Sequence, residues 1–168
     1  SGACGEGLTW TLDVEGKLTV SGTGKMDDYS YDQLAPWFDC LARVKSVVIN
    51  EGVTSVGTEA FRECRNLKSV AIPDSVTSIG RYAFSHCESL TYISIPDSIT
   101  SIPEGMIAYC RSLPYCNIPE SVTRIGELAF ADNISLIYTN IPKSVTEIGD
   151  MAFAYCSSLI YINIPDSV

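Results

Sequence analysis

Positive charge is scarce in this chain: 11 Lys+Arg stand against 20 Asp+Glu, histidine occurs once, and the formal net charge is −9. Phosphate backbones and anionic lipid are bound through clustered Lys/Arg that release counterions, so a chain of this sign is repelled by both. Nucleic acid and membrane surfaces fall away as expected partners. Long apolar runs are missing as well. None approaches the roughly 18 residues of a membrane span, which excludes direct membrane insertion, and the Ser1-Gly2 start has neither the charged nor the apolar part of a signal peptide. No CxxC pair accompanies the single histidine, so the ligand spacings of a zinc site are lacking. What the chain does have is 46% hydrophobic residues in a length of 168, enough for one domain with a continuous core.

The core is written as a repeat. Ile49, Ile72, Ile95, Ile118, Ile141 and Ile164 are each 23 residues apart, without insertion or deletion, and a fixed period of this length predicts a solenoid. Within one period the apolar places are Ile72, Val76, Ile79, Ala83, Phe84, Cys87, Leu90 and Ile93. Leu90, Ile93 and Ile95 have strand spacing, whereas Ala83, Phe84 and Cys87 follow the i, i+3, i+4 spacing of a short helical turn. Pro96-Asp97-Ser98 forms a turn into a second extended segment, Ile99 to Ile102. Each coil is therefore expected to pass through strand, turn, strand and helical turn. Coils stack at roughly the 4.8 Å strand spacing, and like residues align into ladders. The Phe ladder runs Phe61, Phe84, Phe130 and Phe153, with Ile107 as the missing member. That coil also carries Met106 for Ala, Pro103 for Gly and Cys116 at a strand core place, and is expected to pack imperfectly.

The register extends upstream. Trp37-Phe38, Leu41, Val44, Val47 and Ile49 align with Ala60-Phe61, Cys64, Leu67, Val70 and Ile72 as a truncated first coil. Before it, LTWTLDVEGKLTVSG (Leu8 to Gly22) alternates on either side of Val14-Glu15-Gly16, which is a hairpin signature. The chain is thus read as a cap over residues 1–48, hairpin plus truncated coil, and an array over residues 49–168 of five full coils and the start of a sixth. Asp166-Ser167-Val168 break off mid-phrase, so a longer natural protein is expected.

The phrase IPxSVTxIGxxAFxxCxSLxxIxIP resembles the BspA-like leucine-rich repeat family, and Gly5 to Tyr29 with Pro36-Trp37 looks like the segment that precedes such arrays. The resemblance implies a leucine-rich-repeat solenoid, β-rich with short helical turns, in which a parallel sheet of stacked coils follows an N-terminal β-hairpin cap. It also implies a bacterial cell-surface or secreted location, and adhesion to host matrix proteins or other macromolecules. It implies no catalytic residues and no cofactor.

The residues themselves offer few alternatives. Cys64, Cys87, Cys110 and Cys156 share one inward place. Stacked Cβ atoms about 4.8 Å apart exceed the roughly 3.5 to 4.5 Å of a disulfide, so they are read as buried free thiols. Cys4 and Cys40 lie outside that ladder and could pair in an oxidising compartment. His86 precedes the inward Cys87, but adjacent places at this turn point apart, so no nucleophile–base pair is expected and the histidine is read as solvated. Glu51, Asp74, Asp97, Glu120, Lys143 and Asp166 form an acidic row, assigned to turn chemistry because Lys143 interrupts it where a calcium site would not want a lysine. Asn133 matches an N-x-S acceptor pattern but occupies an inward place, which argues against glycosylation.

What remains is a stripe. The residues flanking the second apolar place of each L-x-x-I-x-I strand point outward, giving one row of Tyr92, Tyr115, Tyr138 and Tyr161 and a second of Ser94, Asn117, Asn140 and Asn163. Such ladders stabilise in-register strands, and Tyr with Asn also suits recognition, through large contact area and adaptable hydrogen bonds. The leading expectation is a non-enzymatic extracellular module that binds a protein through this face. A structural spacer presenting an attached catalytic or anchoring domain, and a carbohydrate-binding module, are the alternatives.

Overall fold

In the computed structural model, which describes residues 1–168, three strands open the chain: β1 (Gly2–Gly5), β2 (Leu8–Leu12) and β3 (Lys17–Gly22). β2 and β3 form the expected antiparallel hairpin, from Leu8↔Gly22 to Leu12↔Leu18. The Asp13 carboxylate closes its turn by accepting from the Glu15 and Lys17 amides. β1 adds antiparallel to β2, so this end is three-stranded rather than a hairpin alone.

The coils then climb from it. β4 (Gly24–Lys25), β6 (Val53–Val56) and β8 (Ser78–Ile79) form one parallel ribbon; β5 (Ser46–Ile49), β7 (Ser69–Ala71) and β9 (Tyr92–Ile93) extend the first sheet in the order β1-β2-β3-β5-β7-β9. Pairing keeps the 23-residue register, as in Val47↔Val70↔Ile93. Further on, β10 (Ser101–Ile102), β12 (Arg124–Ile125) and β14 (Glu147–Ile148) form a second ribbon, and β11 (Tyr115–Asn117) pairs with β13 (Tyr138–Asn140).

Both ribbons break at the same coil, and two prolines explain it. In the other coils the amide of Lys68, Thr91, Ile137 or Ile160 donates to the coil before, whereas Pro114, in the same place, has no N–H. Likewise Gly80, Gly126 and Gly149 donate to Val56, Ile102 and Ile125, and Pro103 cannot. The side chains of this coil nevertheless close the core: Met106, Ile107, Cys110 and Leu113 are all fully buried. The expected imperfect packing is therefore corrected. The unbranched methionine fills the irregular space, and the irregularity lies in the backbone instead.

The expected helical turns are also corrected. The only helix is a 3-10 segment, Phe38–Arg43. In the coils, alternate amides turn sideways: Glu59, Phe61 and Glu63 donate to Arg81, Ala83 and Ser85 of the next coil at 2.8–2.9 Å, and the equivalent residues repeat this upward. An amide that bonds its neighbour cannot bond four residues back along its own chain. The alternation forces left-handed backbone on Glu59, Glu63, Tyr82, His86, Tyr109, Leu128, Asp132, Met151 and Tyr155, with Gly105 at the same place in its coil. The Pro-Asp-Ser turn has a lateral bond of its own, since Ser75, Ser98, Ser121 and Ser144 each donate Oγ–H to a valine or isoleucine carbonyl of the coil before.

A column of aromatic rings runs up the core. Trp37 stacks on Phe61 (5.1 Å between centroids, 8° between planes), Phe61 on Phe84 (5.4 Å, 6°), and, after Ile107, Phe130 on Phe153 (4.9 Å, 12°).

Candidate functional site

The tyrosine row stands on the outer face of β9, β11 and β13. Tyr92, Tyr115, Tyr138 and Tyr161 are 61%, 47%, 47% and 62% exposed, while the strand places between the two rows, Ile93, Cys116 and Thr139, are buried. Parallel pairing puts Tyr115 opposite Tyr138 and Asn117 opposite Asn140, and an isolated bridge joins Tyr138 to Tyr161. The Tyr115 and Tyr138 rings lie 5.8 Å apart and only 1° from parallel. Two tyrosines are tied to the second row: Tyr115 Oη–H donates to Asn117 Oδ1 at 3.2 Å, and Tyr161 to Asn163 at 3.4 Å. Asn140 donates Nδ2 to the Ile118 carbonyl at 3.5 Å and leaves a buried Oδ1 without a partner. Ser94 and Asn117 are exposed. The face therefore offers flat rings held at fixed spacing beside amide groups with spare hydrogen-bonding capacity.

Thr139 is a feature that apolar spacing alone misses. It replaces the strand-core isoleucine, is 1% exposed, and satisfies its hydroxyl by donating to the Cys116 carbonyl at 2.9 Å. The cysteine ladder is likewise more than a set of small hydrophobes. Cys87, Cys110 and Cys156 each donate S–H to the carbonyl of a phenylalanine in the coil before, Phe61, Phe84 and Phe130, at 3.2–3.3 Å. Asn133 stands in this row, fully buried, and accepts from the Cys110 amide at 2.8 Å.

All seven cysteines are free thiols, Cys4 and Cys40 included. Burial pushes Cys64 and Cys116 up to about 12 and Cys4, with Asp27 nearby, up to about 11; Cys87 is raised well above its usual range by burial and by Cys110. Thiolate is the reacting form, so iodoacetamide at pH 8 is expected to modify half-buried Cys40 first and half-buried Cys156 slowly. All seven should react once the chain is unfolded without reductant. Intact-mass spectrometry reads both counts. Fast native labelling of Cys87 would sink the assignment, and two missing labels after unfolding would mark a disulfide.

His86 is not solvated as expected. It is half-buried, stacks on Tyr109 at 4.3 Å, and places Nδ1 2.8 Å from Ser85 Oγ; burial, then Arg62, lowers its pKa. The Cys87 thiol is directed to the Phe61 carbonyl instead of the imidazole. The acidic turn row includes no group of three carboxylate, thiol or imidazole ligands brought together.

The BspA type leucine rich repeat region matches residues 36–168 in six copies. The chain belongs to the BspA-type leucine-rich repeat family. Solved structures place this BspA-type solenoid among bacterial leucine-rich repeat proteins. The T. pallidum leucine rich repeat protein (TpLRR) is similar with a TM-score of 0.77 at 22% identity, over 99% of this chain and 84% of that one. A leucine rich cell surface protein from Faecalibacterium prausnitzii gives 0.60 at 27% identity, covering 96% of this chain and 54% of that one, so the BspA-type chain spans about half of its length. The pneumococcal vaccine antigen PcpA gives 0.64 at 17% identity, with 95% and 41% covered. Comparison with curated proteins gives no match. No helix is long and apolar enough to cross a membrane.

Proposed function

We propose that the Tyr/Asn face of β9, β11 and β13 is a docking surface, and that the chain is a non-catalytic binding module at the surface or exterior of a bacterial cell, taking a protein such as a host matrix component. The observation that carries this reading is the exposed, preordered stripe. Four tyrosines repeat without being needed for burial, the central pair lies parallel at 5.8 Å, and one ring of that pair, Tyr115, is tied to Asn117. Rigid aromatic platforms bind at low entropic cost. The cell-surface character of the F. prausnitzii relative supports the location.

The test is Tyr115→Ala combined with Tyr138→Ala, measured by biolayer interferometry against a panel of extracellular matrix proteins. Affinity for a bound protein is expected to fall about ten-fold or more, as for aromatic anchors at interfaces. The melting temperature should drop only slightly, because each exposed cross-strand pair is worth about 0.2–1 kcal/mol. Unchanged affinity removes the assignment from this face. Binding to glycans and to none of the proteins would make the stripe a sugar platform.

A further inference from the structure

The sideways hydrogen bonds between coils leave three carbonyls facing the cap: those of Thr58, Ala60 and Arg62, whose counterparts Arg81, Ala83 and Ser85 each accept an amide from the coil before. The cap meets two of them. The Tyr29 amide donates to Thr58 at 2.9 Å, and Trp37 Nε1–H donates to Ala60 at 2.7 Å. The Arg62 carbonyl receives no protein donor. Its side chain is half-finished too, because one guanidinium nitrogen pairs with Glu59 at 3.0 Å while Nε is buried without an acceptor.

Beside these groups lies a cavity of about 310 Å³, lined by Tyr31, Leu34, Phe38, Leu41 and Ala60 with Glu63 at its polar edge. Its outer wall is the loop before the 3-10 helix, closed by reciprocal backbone bonds between Ser30 and Gln33 at 3.0 and 3.1 Å. Tyr31, Leu34 and Phe38 are 91%, 48% and 46% exposed, so the wall presents apolar surface outward. The charge of the edge is acidic. Glu59 is engaged by Arg62, whereas Glu63 has only Arg65 at 3.8 Å, shared with Glu88 at the same distance.

We propose that this cavity receives a short extended segment of a partner protein, in which a bulky apolar residue fills the cavity and a following lysine or arginine faces Glu63. Peptide backbone carries both missing partners at once: an N–H for the Arg62 carbonyl and a C=O for Arg62 Nε. A buried donor left alone, as Arg62 Nε is, is costly, so a ligand that supplies its acceptor gains more than apolar contact alone supplies. The basic neighbour follows from a carboxylate whose one cation, Arg65, is distant and shared with Glu88, in a chain of net charge −9. The site is separate from the Tyr/Asn stripe and stands whether or not that face binds anything.

The test is a titration of isotope-labelled protein at low salt, followed by amide chemical shifts, with three blocked dipeptides: Ac-Phe-Lys-NHMe, Ac-Phe-Glu-NHMe, and the Phe-Lys form methylated at the phenylalanine nitrogen. Saturable shifts are expected for Tyr31, Phe38, Arg62 and Glu63 and not for Tyr115 or Tyr138. The Glu peptide should bind about five-fold more weakly, and the N-methylated one about ten-fold more weakly. Glu63→Gln, on an exposed side chain, should level the Lys and Glu peptides without changing the melting temperature. Equal binding of all three peptides, or no saturable shift at the cavity, overturns the proposal. So does phenethylamine binding as tightly as Ac-Phe-Lys-NHMe, which would assign the cavity to a free amine.

Discussion

Gly80→Ala is expected to cost about 3 kcal/mol or more, although it adds one methyl group to a half-buried corner. The reason is proximity rather than backbone conformation. A Cβ on Gly80 would lie 2.2 Å from the Thr58 amide nitrogen and 2.5 Å from its Cα, and no flexible side chain is there to move aside. Gly57, Gly126 and Gly149 show the same conflict with the layer beneath, at 1.8, 2.6 and 2.4 Å. The corner glycine is what lets one coil sit down on the next. Pro103 is the array's own exception, and β8 and β10 do not pair there. For a domain of this size the loss corresponds to about 6–12 °C in melting temperature. Ser78→Ala, an exposed change two residues away, should move it by less than about 2 °C. A Gly80→Ala protein melting within 2 °C of the parent would show that the coils can separate at this corner without penalty.

Trp37→Ala is the second large effect, expected at about 3–5 kcal/mol. Trp37 is fully buried, stacks on Phe61, and meets Trp10 and Tyr29 edge-on at 5.6 and 5.8 Å. Its indole N–H occupies the place that a backbone amide fills in every later coil. Trp37→Phe separates the two roles, because it keeps the stack and removes the donor. It should cost about 1–3 kcal/mol, the penalty of leaving the Ala60 carbonyl buried and unpaired. Urea unfolding followed by circular dichroism measures both, and Trp10 remains as a fluorescent reporter near the cap. If Trp37→Phe proves as stable as the parent, the hydrogen bond is dispensable and the residue acts by packing alone.

The core and its register were legible in the residues because the physics is nearly one-dimensional. A coil buries its apolar places only against identical neighbours, so an unbroken 23-residue period in the sequence is already a statement about contacts. The outward stripe followed from strand alternation for the same reason. Direction of hydrogen bonding was not legible. Ala83, Phe84 and Cys87 have helical spacing, yet the amides around them serve the next coil, and side-chain periodicity carries no sign of that. Thr139 escaped because a threonine reads as polar until its hydroxyl finds the Cys116 carbonyl. The cavity by Arg62 was invisible for a different reason: Tyr31, Leu34 and Phe38 belong to a loop with no counterpart in the repeat, so no period points to it.

The coil of Pro103 and Pro114 lacks its lateral amides on both ribbon faces, while Tyr82, Phe84 and His86 still donate across to Glu104, Met106 and Ala108. Two sides of the layer are held by side chains alone and the third by an intact row of bonds. A load that bends the stack is thus expected to open it first at this layer, about the bonded third side, and the two prolines set that direction.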